Sequence, residues 1–173
     1  MIEVIAEADL TAEQTEFAAF WTHKYFGHVS ACQNRDQANV HWRMFVRDNG
    51  ELVSHLSLTE LAVQLDDSVL NAGSIGSVFT VKSRLGEGFA NQLMDYAEDF
   101  LLQQSEFPLP ILFCLPELVP FYQQRDWQTV TVPVTLEQTS REVLTWGEEC
   151  MILDRRTEPV SFERLHVPIV TDR

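Results

Sequence analysis

A chain of 173 residues, 45% hydrophobic and 22% charged, is long enough for a substantial core in one domain and lies outside the composition of disordered or fibrous proteins. Twelve lysines and arginines against twenty-six aspartates and glutamates give a formal charge of −14. That field repels nucleic acids and anionic membranes and attracts a cationic molecule such as a polyamine or amino sugar, with solubility as the competing reason for the acidity. No run of about 18 apolar residues occurs, MIEVIAEADL lacks a basic stretch before an apolar one, and three scattered cysteines form no C-x-x-C pair; a cytoplasmic protein with reduced thiols is expected.

Residues 2 to 5 read as a first strand. Thr11 and Gln14 make a capping box, and Phe17, Phe20, Trp21 and Tyr25 follow at helical spacing, predicting a helix over 12–26 that stops at Gly27. From 28 to 40 the chain is polar and irregular, with room for one short helix. His23 and His28 have nothing nearby to complete a ligand set, so no metal site is expected. Trp42, Met44 and Val46 alternate with Arg43 and Arg47, Asp48-Asn49-Gly50 supplies turn chemistry, and Leu52 to Leu61 resumes the extended pattern: a hairpin. A second turn at Asp66-Asp67-Ser68 leads into a long extended stretch over 69–81, interrupted by Gly73 and Gly76.

The stretch from Gly76 to Met94 organises the rest. Val78 to Val81 read as a strand, Gly86-Glu87-Gly88 as a turn, and a helix over 88–104 follows with Phe89, Leu93, Tyr96, Ala97, Phe100 and Leu101 on one apolar face. Unpaired N–H groups and the helix dipole favour an anion at such a turn, phosphate above all. A tight strand-to-helix connection with no ligand is the alternative.

Phe107 to Pro110 connect to Ile111–Leu115, an apolar run that reads as a strand buried on both faces, with Cys114 in a packing role rather than as a nucleophile. Strand, helix and strand in succession predict a right-handed crossover that lays Ile111–Leu115 parallel and adjacent to Val78–Val81. Pro116 and Glu117 open a short helix carrying Phe121 and Tyr122. Gln128–Leu136 and Cys150–Asp154 read as two further strands, joined by a loop holding Glu148 and Glu149. The expected architecture is one α+β domain with a mixed sheet, its core about 1–155 and its tail, 156–173, irregular.

Two segments carry a family resemblance. Leu85-Gly86-Glu87-Gly88-Phe89-Ala90 resembles the Q/R-x-x-G-x-G/A pyrophosphate loop of the Gcn5-related N-acetyltransferases (GNAT), with leucine in place of the leading polar residue. Phe121-Tyr122-Gln123-Gln124-Arg125-Asp126-Trp127 resembles the F-Y-x-x-x-G-F/W segment of the same superfamily, with Asp126 in place of glycine. The run LFCLPELVPFYQQRDW, with PVT at 133–135, is similar to the subgroup related to aminoglycoside 2′-N-acetyltransferases.

The resemblance covers roughly 42–154. It implies the GNAT acyl-CoA N-acyltransferase fold, a mixed sheet of six to seven strands flanked by helices, with parallel central strands that splay apart. It implies acetyl-CoA as donor and a primary amine of a small molecule as acceptor. Carried over, Val78, Phe79 and Thr80 bind the pantetheine arm, the amides of Leu85, Gly86, Glu87, Gly88, Phe89 and Ala90 bind the pyrophosphate, and Tyr122 is the general acid, a packing tyrosine being the alternative. The carboxylate that related aminoglycoside enzymes place just before the cofactor strand is replaced by Gly76 and Ser77; Glu60, acting through water, is the remaining candidate base, or else a solvated surface carboxylate. A non-catalytic acyl-CoA-binding or regulatory module is the competing function. Monomer and homodimer both remain open.

Overall fold

The computed structural model describes residues 1–33, 39–103, 107–156 and 158–168; the expectations for 34–38, for residue 104 at the end of the long helix and for the last tail residues lie outside these. The chain packs as two compact units, Met1–Thr59 with Ile75–Gln103 and Glu60–Ser74 with Gln104–Arg173.

In the first unit β1 (Ile2–Ala6) pairs antiparallel with β2 (Trp42–Asp48), and β2 with β3 (Glu51–Leu65), whose residues to Thr59 belong here. The turn between β2 and β3 uses left-handed Asn49 and Gly50, the geometry that matches strand twist in a two-residue hairpin. Between β1 and β2 lie α1 (Ala12–Phe26) and α2 (Ser30–Gln33). The Thr11 and Gln14 capping box closes as expected, side chain to backbone in both directions. β4 (Ser68–Thr80), here from Ile75, pairs with β3.

The core of this unit is aromatic: Phe17 of α1 meets Phe45 of β2 edge-on at 6.3 Å and Phe79 of β4 at 5.8 Å. α3 (Phe89–Gln103) buries Leu93, Met94, Ala97 and Leu101, and Phe100 meets Trp42 of β2 edge-on at 5.9 Å. The apolar face is rotated from the one expected: Tyr96 is exposed, while Met94 and Glu98 are buried.

The second unit holds the remaining parts of β3 and β4 and the strands β5 (Ile111–Cys114), β6 (Gln128–Thr129), β7 (Val134–Glu137), β8 (Val143–Thr145), β9 (Glu149–Ile152) and β10 (Leu165–Val167), with a short helix α4 (Val119–Gln123). β9 lies between β6 and β5, antiparallel to both. β10 lies between β3, antiparallel, and β7, parallel, and β8 borders β7. The sheet is therefore mixed.

Ten strands are found among the described residues, where six to seven are expected. Two of the differences have clear causes. The single strand expected over Gln128–Leu136 breaks into β6 and β7, because Val130 donates to Cys150 O at 2.8 Å while Pro133, with no N–H of its own, accepts from Leu165 at 3.1 Å. The two halves thus serve different neighbours. The tail is not irregular throughout, since β10 enters the sheet. Its approach is pinned by Asp66, whose left-handed backbone (φ +52) presents a carboxylate to the amides of Glu163 and Arg164, each at 3.0 Å.

Candidate functional site

The expected anion turn sits where β4 gives way to α3. After Thr80 the chain makes one 3-10 turn over Lys82–Arg84, and then Gly86 and Gly88 both take φ +83. Only glycine holds that conformation without a Cβ penalty, and a Cβ built on either would meet nothing within 4 Å. The loop surface over both glycines is therefore open. Gln92 N–H bonds Gly88 O at 3.0 Å and starts the helical ladder, so the amides of Phe89 and Ala90 precede it and project from the positive end of a fifteen-residue helix.

Arg84, one position before the motif, is held over this loop. Its guanidinium forms a fork on Glu87, both bonds 2.7 Å, reaches Asp48 at 2.7 Å and lies 4.9 Å over the Phe89 ring. The hydrogen bonds from Arg84 hold the Glu87 carboxyl below the usual range. Glu87 would otherwise bring an unpaired negative charge to the expected anion turn, and Arg84 neutralises it. Leu85, at the motif's leading position, is exposed.

The strand positions divide by direction. Val81 N–H bonds Val53 O of β3 at 2.9 Å, and Phe79 O accepts from the Ser54 hydroxyl at 2.7 Å. By strand alternation, Phe79 turns its backbone groups toward β3, whereas Val78 and Thr80 turn theirs away. Thr80 O accepts from the Tyr25 hydroxyl at 3.1 Å, and the Thr80 side chain pairs with Ser54 at 2.9 Å. Of the three residues expected to bind a pantetheine arm, Val78 and Thr80 have their amide groups on the side away from β3. Phe79 contributes a buried ring.

Just before them the backbone is kinked. Ser77 takes φ +48, unusual for a residue with a Cβ. A Cβ on Gly76 would lie 3.3 Å from the Ser57 hydroxyl, so a carboxylate side chain at 76 would require Ser57 to move. Ser77 O bonds Nδ1 of His55 at 3.0 Å, and the other ring nitrogen faces Arg43 Nη1 at 3.2 Å. Arg43 in turn grips Glu7 through two bonds, 2.6 and 2.9 Å. Glu60, the candidate base, lies half-buried on β3 in the second unit.

Tyr122 belongs to the second unit, on α4. The helix ends in a Schellman motif: Trp127 N–H bonds Tyr122 O and Asp126 N–H bonds Gln123 O, both at 3.2 Å, with Asp126 at φ +67. The residue that replaces the family's glycine thus adopts the left-handed conformation glycine would supply, as aspartate tolerates better than most residues. The rings of Tyr122 and Trp127 meet edge-on at 6.3 Å, the apolar contact such a cap favours. Asp126→Ala should lower stability by about 1 kcal/mol while Asp126→Gly should not; urea midpoints that rank the two the other way would exclude a left-handed cap.

Burial, reinforced by the nearby Cys114, pushes the Tyr122 phenol well above its ordinary range, against a smaller opposing effect of Arg125. It remains a protonated donor. Cys114 is buried, with its sulfur 3.9 Å from that of Met151, and burial followed by Glu149 and Glu117 pushes its thiol up to about 11. That environment suits packing, not nucleophilic attack. Among the described residues no group of three metal-ligating side chains occurs, and no helix is long and apolar enough to cross a membrane.

Sequence reasoning passed over His55, Arg43 and Tyr25. One signal was present for the first: a histidine set among Leu52, Val53, Leu56 and Leu58 of one strand needs a buried partner, and the paired strand carries an arginine. Tyr25 offered none, since its partner lies 55 positions away.

Residues 12–130 match the sequence model of a family described as acetyltransferase (GNAT) domain. No curated protein sequence matches the chain. Among solved structures, Escherichia coli ElaA is similar with a TM-score of 0.62 and 18% identity over 88% of this chain and 97% of that one. The E. coli N-acetyltransferase YhbS in complex with CoA aligns at TM-score 0.61 and 11% identity, over 96% and 88% of the two chains. The Bacillus subtilis N-acetyltransferase YlbP in complex with coenzyme A aligns at 0.56 and 15%, over 90% and 100%.

Proposed function

From the premise that this chain belongs to the GNAT acetyltransferase domain family and has its acyl-CoA N-acyltransferase fold, we propose that it transfers an acetyl group from acetyl-CoA to a primary amine of a small molecule, by direct attack in a ternary complex. The observation that carries this reading is the Gly86 and Gly88 loop, open above both glycines and leading straight from β4 into the start of α3. The residues fit the donor. Phe89 and Ala90 offer amides and a helix dipole to a pyrophosphate, and Val78 and Thr80 offer strand amide groups to a pantetheine arm. Preorganised backbone donors need little rearrangement on binding.

Acetyl-CoA supplies the thioester whose C–S bond breaks as the amine nitrogen forms the new amide bond. The nitrogen releases one proton, to water or to Glu60, as it becomes an amide, and the departing sulfur takes one up from the chain. Tyr122 holds one, and its buried phenol keeps it across the physiological range. No carboxylate side chain stands at 76 or 77 to take the ammonium proton, so the acceptor enters as the neutral fraction of an amine or loses its proton through water, with Glu60 as the candidate base. The charge of −14 favours a cationic acceptor, and amino sugars belong in the first panel because of the subgroup resemblance.

Calorimetric titration with acetyl-CoA beside a thiol-release assay over polyamines, amino sugars and amino acids tests the proposal. Saturable binding with release on at least one amine is expected. Binding with no release across the panel would support a non-catalytic acyl-CoA-binding module instead. No binding would overturn both.

A further inference from the structure

We infer that His55 is a positioning residue for the donor strand: clamped between the Arg43 guanidinium and the Ser77 carbonyl, its ring fixes the kink from which Val78 and Thr80 turn their backbone groups away from β3. This rests on the reading of that strand as the pantetheine site.

The hydrogen-bond chemistry leaves one arrangement. A carbonyl only accepts, so Nδ1 carries the ring proton and donates to Ser77 O at 3.0 Å. Nε2 is then the acceptor, and the group facing it at 3.2 Å is a guanidinium, which only donates. Arg43 cannot swing away cheaply, because its other edge is engaged by both carboxylate oxygens of Glu7. Phe79 stacks on the ring at 4.9 Å and Phe45 packs against it, tilted, at 5.1 Å. Arg43 and Glu7 are thus the charged groups this network presents to the imidazole, with aromatic rings and a backbone carbonyl on its other sides. Burial, with Arg43 adding to it, holds the ring neutral well below physiological pH.

A tautomer fixed this firmly has a definite effect on the backbone it touches. Ser77 stands at φ +48, a conformation that side chains with a Cβ resist, and the next residue, Val78, begins the stretch whose amide groups point outward. The bond from His55 is what Ser77 gains in this conformation. Glycine at 77 would take the same φ without needing it. That difference separates a positioning role from a packing one: a ring that merely fills the core would be missed equally whether 77 is serine or glycine.

The test uses the full chain with His55→Leu, His55→Asn, Ser77→Gly and the His55→Leu/Ser77→Gly pair. Acetyl-CoA dissociation constants are measured by calorimetry well below each melting temperature, and amide hydrogen exchange is followed over 76–80. His55→Leu should weaken binding about tenfold and raise exchange over that segment, and His55→Asn, whose amide can donate to Ser77 O, should stay within about threefold. Adding Ser77→Gly to His55→Leu should recover most of the affinity and the protection. Equal affinity in His55→Leu and wild type, or a loss that Ser77→Gly leaves untouched, would overturn the inference. Should His55→Leu fail to fold, Arg43→Met, which frees Nε2 while keeping the ring, takes its place with the same coupling to Ser77→Gly expected. If the wild type binds no acetyl-CoA, the functional reading falls, and the exchange measurements still decide whether His55 holds the kink.

Discussion

Tyr122→Phe should cut turnover by about 10²–10⁴-fold, the usual contribution of a positioned general acid or base, while the dissociation constant for acetyl-CoA stays within about twofold. The change removes one oxygen and keeps the ring that meets Trp127 and the backbone carbonyl that closes the Schellman motif, so the end of α4 should survive. The phenol's pH behaviour gives the prediction a second edge. Its pKa is raised, by burial first and by Cys114 next, so the proton-bearing form persists beyond the ordinary phenol range of about 10. Turnover should show no alkaline loss due to Tyr122 below about pH 10. Normal turnover in Tyr122→Phe with an identified amine, or an alkaline limb near pH 8 that vanishes in the variant, would remove Tyr122 from the acid role.

Acidification should destabilise the fold progressively below pH 6.5. In the folded chain His55 is depressed to about 3, with burial as the largest cause and Arg43 acting in the same direction against the Ser77 hydrogen bond. In the unfolded chain it titrates near 6.5. Between those values the unfolded state binds the extra proton, so the stability is fully present above 6.5 and is lost as pH falls toward 3. One such group contributes a slope of at most about 1.4 kcal/mol per pH unit.

A second group joins lower down. Asp154 is held at about 2 by hydrogen bonds from Arg156, with the amides of Val160 and Arg156 assisting. Its depressed pKa gives stability that is present above the usual aspartate range and lost as pH falls through it. Urea unfolding at pH 7.0, 5.5 and 4.5 follows the histidine contribution, with the Arg84-held Glu87 carboxyl joining it only toward the lowest value, and His55→Asn should flatten the slope over that window. A free energy independent of pH from 7.0 to 4.5 in the wild type would show that the imidazole is not buried neutral.

Short-range rules govern the elements legible along the chain. The capping box at Thr11 and Gln14, the Asn49-Gly50 turn, α1 and the passage from β4 through two glycines into α3 each involve residues a few positions apart, where the physics is contained in the window being read. The loop and the Phe121-Tyr122 segment also carried the family, because glycines at a helix start and a tyrosine next to a helix end are local patterns.

Whatever depends on distant partners is settled only once the chain has folded. Leu165–Val167 becomes a strand because Asp66, 98 positions from Arg164, captures the amides that lead into it. Gln128–Leu136 breaks because its two ends pair with β9 and β10. Asp126 could be read as a departure from the motif, and only its φ shows that it takes the left-handed conformation open to glycine. The same holds for the end of β4. Sequence places Val78 to Thr80 in a strand, but which of them turn their backbone groups away from β3, and the bond between His55 and the Ser77 carbonyl 22 positions later, follow from how β3 and β4 pair.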